Sequence, residues 1–286
     1  MPELGYALST EEHPPGDLVE YTSRAEDAGF EHALISDHFH PWVGTQGHAP
    51  FVWTVLGAMA HETDEIRVGT GVTCPFQRYH PAVVAQAAAT AGVMFDDRFF
   101  LGVGTGENLN EHVTGERWPP FEVRIEALAE SVDVMDPPPV HVAGGGTGSA
   151  SAAAEIGDGY VNTAPDEEAL DAYDGGGPKY GQVTVCWAES DAEARRTAHE
   201  HWPNIGLAGE LSALLPTVKH FEQAASMVSA EDVAESMTCS SDPDDHIDAI
   251  QKYLDAGFDH VYVHQVGPDQ AGFFDVYESE VLPSFR

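Results

Sequence analysis

The sequence predicts an α/β protein folded as a closed (β/α)8 TIM barrel. Eight short apolar runs alternate with segments of helical spacing over 286 residues, near the ~250 residues such barrels hold. Polar, titratable and glycine residues gather directly after the runs, where that fold carries its chemistry. The same elements would also suit an open doubly wound sheet. No strict internal repeat is present, which excludes a solenoid. The expected organisation is a single domain over residues 1–286.

Run one is LGYAL at residues 4–8, and a Pro-Pro-Gly turn then opens the helical DLVEYTSRAEDAGF. Run two is HALIS at 32–36, followed by a loop and by FVWTVLGAMAHET with helical spacing. Run three starts at Ile66. Pro81 suits the first turn of the Ala-rich helix that follows, where its missing N–H would be unpaired anyway. Run four starts at Phe99 and leads to the helical EVRIEALAESVDVM. Run five spans 140–146, ahead of a short Ala-rich helix, and run six spans 159–162. Run seven, 182–188, precedes DAEARRTAHEHW. One longer helical stretch, an insertion late in the chain, is expected over 203–235. Asp242 caps an amphipathic helix, run eight is HVYVH at 260–264, and a last helix starts near Asp269.

Acidic residues number 48 against 12 Lys plus Arg, a formal charge of -36. Too few cations exist for a nucleic-acid stripe or for docking on anionic lipid. Self-repulsion of this size disfavours a compact state unless molar salt, with a screening length of ~3 Å, suppresses it. A salt-adapted, halophilic, cytoplasmic protein is the expectation. Cys74, Cys186 and Cys239 lie far apart, so neither a thiolate zinc module nor a disulfide framework is expected. No signal peptide and no apolar stretch long enough to span a membrane is read. H-E-x-x-H is absent despite 15 histidines, and no metal site is expected.

Three post-run segments carry the chemistry. Asp37 to Trp42 (DHFHPW) brings a carboxylate, two imidazoles and an indole to one strand end. Imidazole exchanges protons near neutral pH, and an indole can stack on a flat ligand or position a hydroxyl. A plain polar loop is the alternative. Gly104 to Asn110 joins a glycine turn to Glu107, whose carboxyl would hold a proton if half-buried. Gly102, Gly104 and Gly106 do not match the dinucleotide fingerprint, so a Rossmann-type nicotinamide site is not expected. Ala143, Gly144, Gly145 and Gly146 precede a helix, and stacked amides there suit a phosphate without needing Lys or Arg.

These segments carry a resemblance. ISDHFHPW, GHAPF, VGTGVTCPFQRYHPAVVAQAAAT and FFLGVGTGENLNE are similar to the luciferase-like barrel enzymes, in the branch that uses coenzyme F420, typified by the deazaflavin-dependent glucose-6-phosphate dehydrogenases. The likeness resumes at VHVAGGG and at SSDPDD…GFDHVYVHQVGPDQ. It implies a small-molecule oxidoreductase, with F420 at the C-terminal rim and a homodimeric assembly. It also implies cofactor contacts at Asp37, Gly71, Val72, Thr105, Gly106, Asn110 and Ala143 to Gly146, with a cis peptide bond in the Gly71–Val72 bulge. It makes His38, Trp42 and Glu107 the catalytic trio. His38 is then the base for a substrate hydroxyl, Trp42 places the substrate, and Glu107 serves the ring nitrogen; the two proton-transfer roles are exchangeable. An FMN-dependent monooxygenase and a non-catalytic cofactor-binding barrel are the alternatives.

Two departures from that family bear on the substrate. Its sugar-phosphate members place two Lys and one Arg around the phosphate, and here threading puts Thr184, Glu235 and Ala271 at those places. A unit charge at ~4 Å is worth about 4 kcal/mol at an effective dielectric near 20. A neutral alcohol, a free sugar or an unphosphorylated carbonyl compound is expected instead. The links at 136–139 and 175–179 are also shorter than the family's.

Overall fold

In the computed structural model, which describes residues 2–136, 138–207 and 209–286, parallel strands close into a barrel. The strands are β1 (Leu4–Leu8), β2 (His32–Ile35), β3 (Arg67–Thr70), β4 (Phe99–Val103), β5 (Val140–Ala143), β6 (Gly159–Asn162), β7 (Lys179–Trp187) and a last strand, His260–Gln265. Each pairs with its neighbour in chain order, and the last strand pairs with both β7 and β1, which completes the ring. These are the eight runs read from the sequence. A ninth strand, β8 (Thr238–Ser240), pairs only with the end of β7, at Val185 to Trp187, so the closing strand is β9.

Helices cover the outer wall. Those before the late insertion are α1 (Pro15–Ala28), α2 (Val52–Glu62), α3 (Pro81–Met94), α4 (Asn108–Glu111), α5 (Phe121–Val132), α6 (Thr147–Ile156), α7 (Glu167–Ala172) and α8 (Asp191–His201). The helical stretch expected over 203–235 is divided into short pieces. A 3-10 turn at Pro203–Gly206 is followed by α9 (Leu211–Leu214), α10 (Val218–Ala225) and α11 (Ala230–Ser236). The breaks have local causes. Pro216 interrupts the backbone ladder, and Thr217 and Ser229 each accept a bond from an N–H three residues on, starting new helices. Asp242 caps α12 (Pro243–Ala256), as its position predicts, and α13 (Gln270–Val276) follows β9.

The barrel interior is a packed core of Ala7, Leu34, Phe100, Val161, Tyr180 and Tyr262. Aromatic rings fit there because two strand positions are glycine. A methyl at Gly69 would lie 2.1 Å from the Phe100 ring, and one at Gly5 would lie 2.3 Å from Tyr262. The lower half is therefore plugged, and open space is left to the C-terminal rim.

Candidate active site

At the rim a cavity opens in two lobes of about 450 and about 240 Å3, both bordered by Gly71, Thr163 and Gln182. His38, Trp42, Glu11 and Thr184 line the larger lobe. Asp37, Val72, Thr105, Gly106, Glu107 and Ala143 to Gly145 line the smaller one. The strand ends of β2, β3, β4 and β5 thus bring together segments that are remote in sequence.

His38 sits between two carboxylates. Glu11 Oε1 lies 2.8 Å from His38 Nδ1, a close ion pair rather than an in-line hydrogen bond. Glu107 Oε1 lies 3.5 Å from Nε2. Burial alone would lower the His38 pKa, but Glu11 and then Glu107 outweigh it and push it up to about 9. Burial raises the pKa of Glu11, and the His38 charge together with the Ser36 hydroxyl, donating at 2.6 Å, returns it well below the usual carboxylate range. Trp42 meets His38 edge-on at 4.9 Å and is braced from behind by Phe221 of α10 at 5.0 Å.

Asn110 ties these segments together. Its Oδ1 accepts from the backbone N–H of Phe39 at 2.8 Å and of His40 at 2.7 Å, while its Nδ2 donates to Glu107 Oε1 at 2.5 Å. Asn110 is fully buried and lines neither lobe, and the hydrogen bonds of its amide run inside the protein.

Asp37 anchors the wall of the smaller lobe. It accepts from Thr73 at 2.8 Å, Arg78 at 2.9 Å and Tyr79 at 3.0 Å. Arg78 also faces Glu111 at 3.7 Å. Glu111 is almost wholly buried, and burial, reinforced by Glu107 and opposed by Arg78, pushes its pKa up to about 7. Across the lobe, Tyr160 donates to the Gly144 carbonyl at 2.6 Å and fixes the glycine loop. The Gly71–Val72 peptide bond between the lobes is cis.

The sequence signature of luciferase-like monooxygenases matches residues 1–137 and 134–260. The chain belongs to that family. Among its relatives, the F420-dependent glucose-6-phosphate dehydrogenase of Segniliparus rotundus is 34% identical over 99% of this chain and 98% of its own. That of Kribbella flavida is also 34% identical, with the same coverage. A solved F420-dependent secondary alcohol dehydrogenase, in complex with an F420–acetone adduct, superposes with a TM-score of 0.90 at 27% identity and full coverage of both chains. The coenzyme F420 dependent tetrahydromethanopterin reductase of Methanopyrus kandleri shares the fold, with a TM-score of 0.78 at 20% identity over 100% of this chain and 99% of that one.

Within the luciferase-like barrel, the expected residues divide. His38, Trp42, Glu107, Asp37, Gly71, Val72, Thr105, Gly106, Ala143, Gly144, Gly145 and Thr184 border the two lobes. Gly146 is exposed and borders neither. Glu235 borders a cleft beside β8 that shares Thr163, Thr184, Ile205 and Ser236 with the larger lobe, and Ala271 lies in a groove between α1 and α13. Glu235 is exposed on α11 at the far side of that cleft, and Ala271 sits on the outer wall, away from both lobes. Glu11, Arg78, Tyr79, Glu111 and Gln182 were missed. Glu11 follows β1, so the rule that chemistry lies after each strand finds it once applied to the first strand.

Proposed function

We propose that this chain is an F420-dependent oxidoreductase that moves a hydride between the hydroxyl-bearing carbon of a neutral alcohol or free sugar and the deazaflavin. One observation carries the reading. His38, held between Glu11 and Glu107 and flanked by Trp42, lines the larger lobe and lies 3.5 Å from Glu107 of the smaller one. The residues fit a flat ring with a tail. Gly71, Thr163 and Gln182 border both lobes, so a planar ligand in the smaller one reaches the imidazole, while Val72, Thr105, Gly106, Gly144 and Gly145 line its seat. When bound, coenzyme F420 supplies a two-electron hydride acceptor at C5 of its ring.

The chain's own groups do the proton chemistry. Neutral His38 takes the substrate hydroxyl proton at a ring nitrogen, and charged His38 returns it in the reverse direction. Its preference for the charged state favours carbonyl reduction near neutral pH and alcohol oxidation at higher pH. Trp42 holds the substrate against the imidazole. Glu107, fixed by Asn110, stands on the ring side as the second group placed to exchange a proton. Among the described residues no Lys or Arg lines either lobe, and the cations nearest in lining, Arg195 and Lys252, border only the adjoining cleft; this supports a substrate without phosphate.

The charge of -36 supports a salt-adapted cytoplasmic setting. Exposed Val83, Val93 and Met94 on α3, a helix without a charged residue, support a homodimer. The test is a spectroscopic titration with F420 and with FMN, then turnover at molar salt over alcohols, free sugars and glucose 6-phosphate. Tight F420 binding with turnover of a secondary alcohol or free sugar is expected. FMN-dependent oxygen consumption, or saturable turnover of glucose 6-phosphate, would overturn the reading.

A further inference from the structure

At the opposite end of the barrel, three side chains with no part in the rim chemistry converge. Glu3, His32 and His260 each present one ligand atom, all within 4.8 Å of one another. We propose that Glu3, His32 and His260 bind a divalent ion of the Zn2+, Ni2+ or Co2+ class, which clamps the seam where the first and last strands of the barrel meet.

The topology makes the arrangement. β1 lies between β2 and β9, with Gly5 level with His32 and Leu4 level with Val261. The residues that begin these strands therefore share one mouth of the barrel. His32 Nε2 contacts Glu3 Oε2, and His260 Nδ1 is 3.7 Å from the same oxygen; Nδ1 accepts the Glu3 backbone N–H at 3.2 Å, a bond that the ion would replace, as it would replace the proton between His32 and Glu3. Tyr180 stacks on the His260 ring at 5.0 Å and meets His32 edge-on at 6.0 Å, so both imidazoles are held in place. His32 Nδ1 is buried without a partner, so the only engaged nitrogen of this ring is the one directed at the carboxylate.

The donor chemistry suits the ion. Two imidazole nitrogens and one carboxylate oxygen match borderline first-row divalent metals, with water completing the shell. Glu3 and His260 are partly exposed and give the ion a way in. Glu3 and His260 lie 257 residues apart. An ion shared by them closes a loop of nearly the whole chain and adds its binding free energy to folding.

The test uses the full chain freed of metal by a chelator. Co2+ is titrated in near neutral pH, read by its visible d–d absorption, by metal content after desalting and by thermal unfolding. One Co2+ per chain, intense d–d bands and a raised Tm are expected. Glu3→Gln and His260→Gln change partly exposed side chains and should keep the fold. Each is expected to weaken binding about tenfold or more and to remove the Tm rise. A control at an exposed histidine, His61→Gln, should leave the bands in place. Equal binding and spectra in Glu3→Gln and His260→Gln, or no metal-dependent Tm shift in the wild-type chain, would overturn the proposal.

Discussion

Glu11→Gln removes the nearer of the two charges that hold His38 protonated, and its effect can be worked from the site. His38 at about 9, against an ordinary 6.5, corresponds to roughly 3 kcal/mol of preference for the charged ring. Glu11 at 2.8 Å supplies more of that than Glu107 at 3.5 Å. With a neutral amide in its place, burial is opposed by Glu107 alone, and the His38 pKa falls by about two pH units or more. The assay is the pH profile of kcat/KM for alcohol oxidation with F420, paired with NMR titration of the His38 ring. The wild-type acid limb should turn near 9, and that of Glu11→Gln near or below neutrality. Stability must follow the same sign. A histidine whose folded pKa is raised contributes fully below 6.5 and loses its contribution as pH rises through about 9, so the variant should lose that alkaline decline. An unmoved acid limb, together with an unmoved NMR midpoint, would refute the assignment of Glu11 as the group that sets His38.

Asn110→Ala leaves the Phe39 and His40 N–H groups without an acceptor, each worth about 1–3 kcal/mol if water does not replace it. A lower Tm and a kcat/KM reduced by about a hundredfold are expected, since Glu107 and the His38 loop lose their common tie. Glu111 has its folded pKa raised from 4.5 to about 7, so its contribution to stability is present at low pH and declines as pH climbs through about 7. Glu111→Gln should flatten that decline in pH-dependent unfolding and be the more stable form above it. Raising KCl from ~0.1 M to ~1 M shortens the screening length from ~10 Å to ~3 Å. Thermal unfolding should move upward with that salt, and a downward shift would contradict the salt-adapted reading.

Local patterns in the sequence determined much of this protein. Apolar runs of strand length separated by helical periods specify a parallel α/β sheet, because each strand needs a crossover helix to reach the next, and the count of eight favours closing it into a barrel. Once the barrel is read, residues after strand ends are marked for the rim, and that rule placed Asp37, His38, Trp42, Glu107 and the Ala143–Gly145 loop. Caps such as Asp242 are equally local, since the bond they make closes within two or three residues.

Only the closed tertiary structure decided which charges face one another. Glu11 meets His38, Arg78 bridges Asp37 and Glu111, and Asn110 links two loops, all through contacts that no spacing encodes. The same holds for Glu3, His32 and His260, which a search for metal motifs in single segments cannot see. Secondary structure follows from interactions a few residues apart, whereas pKa values and ligand sets depend on distances set by strand order and barrel closure.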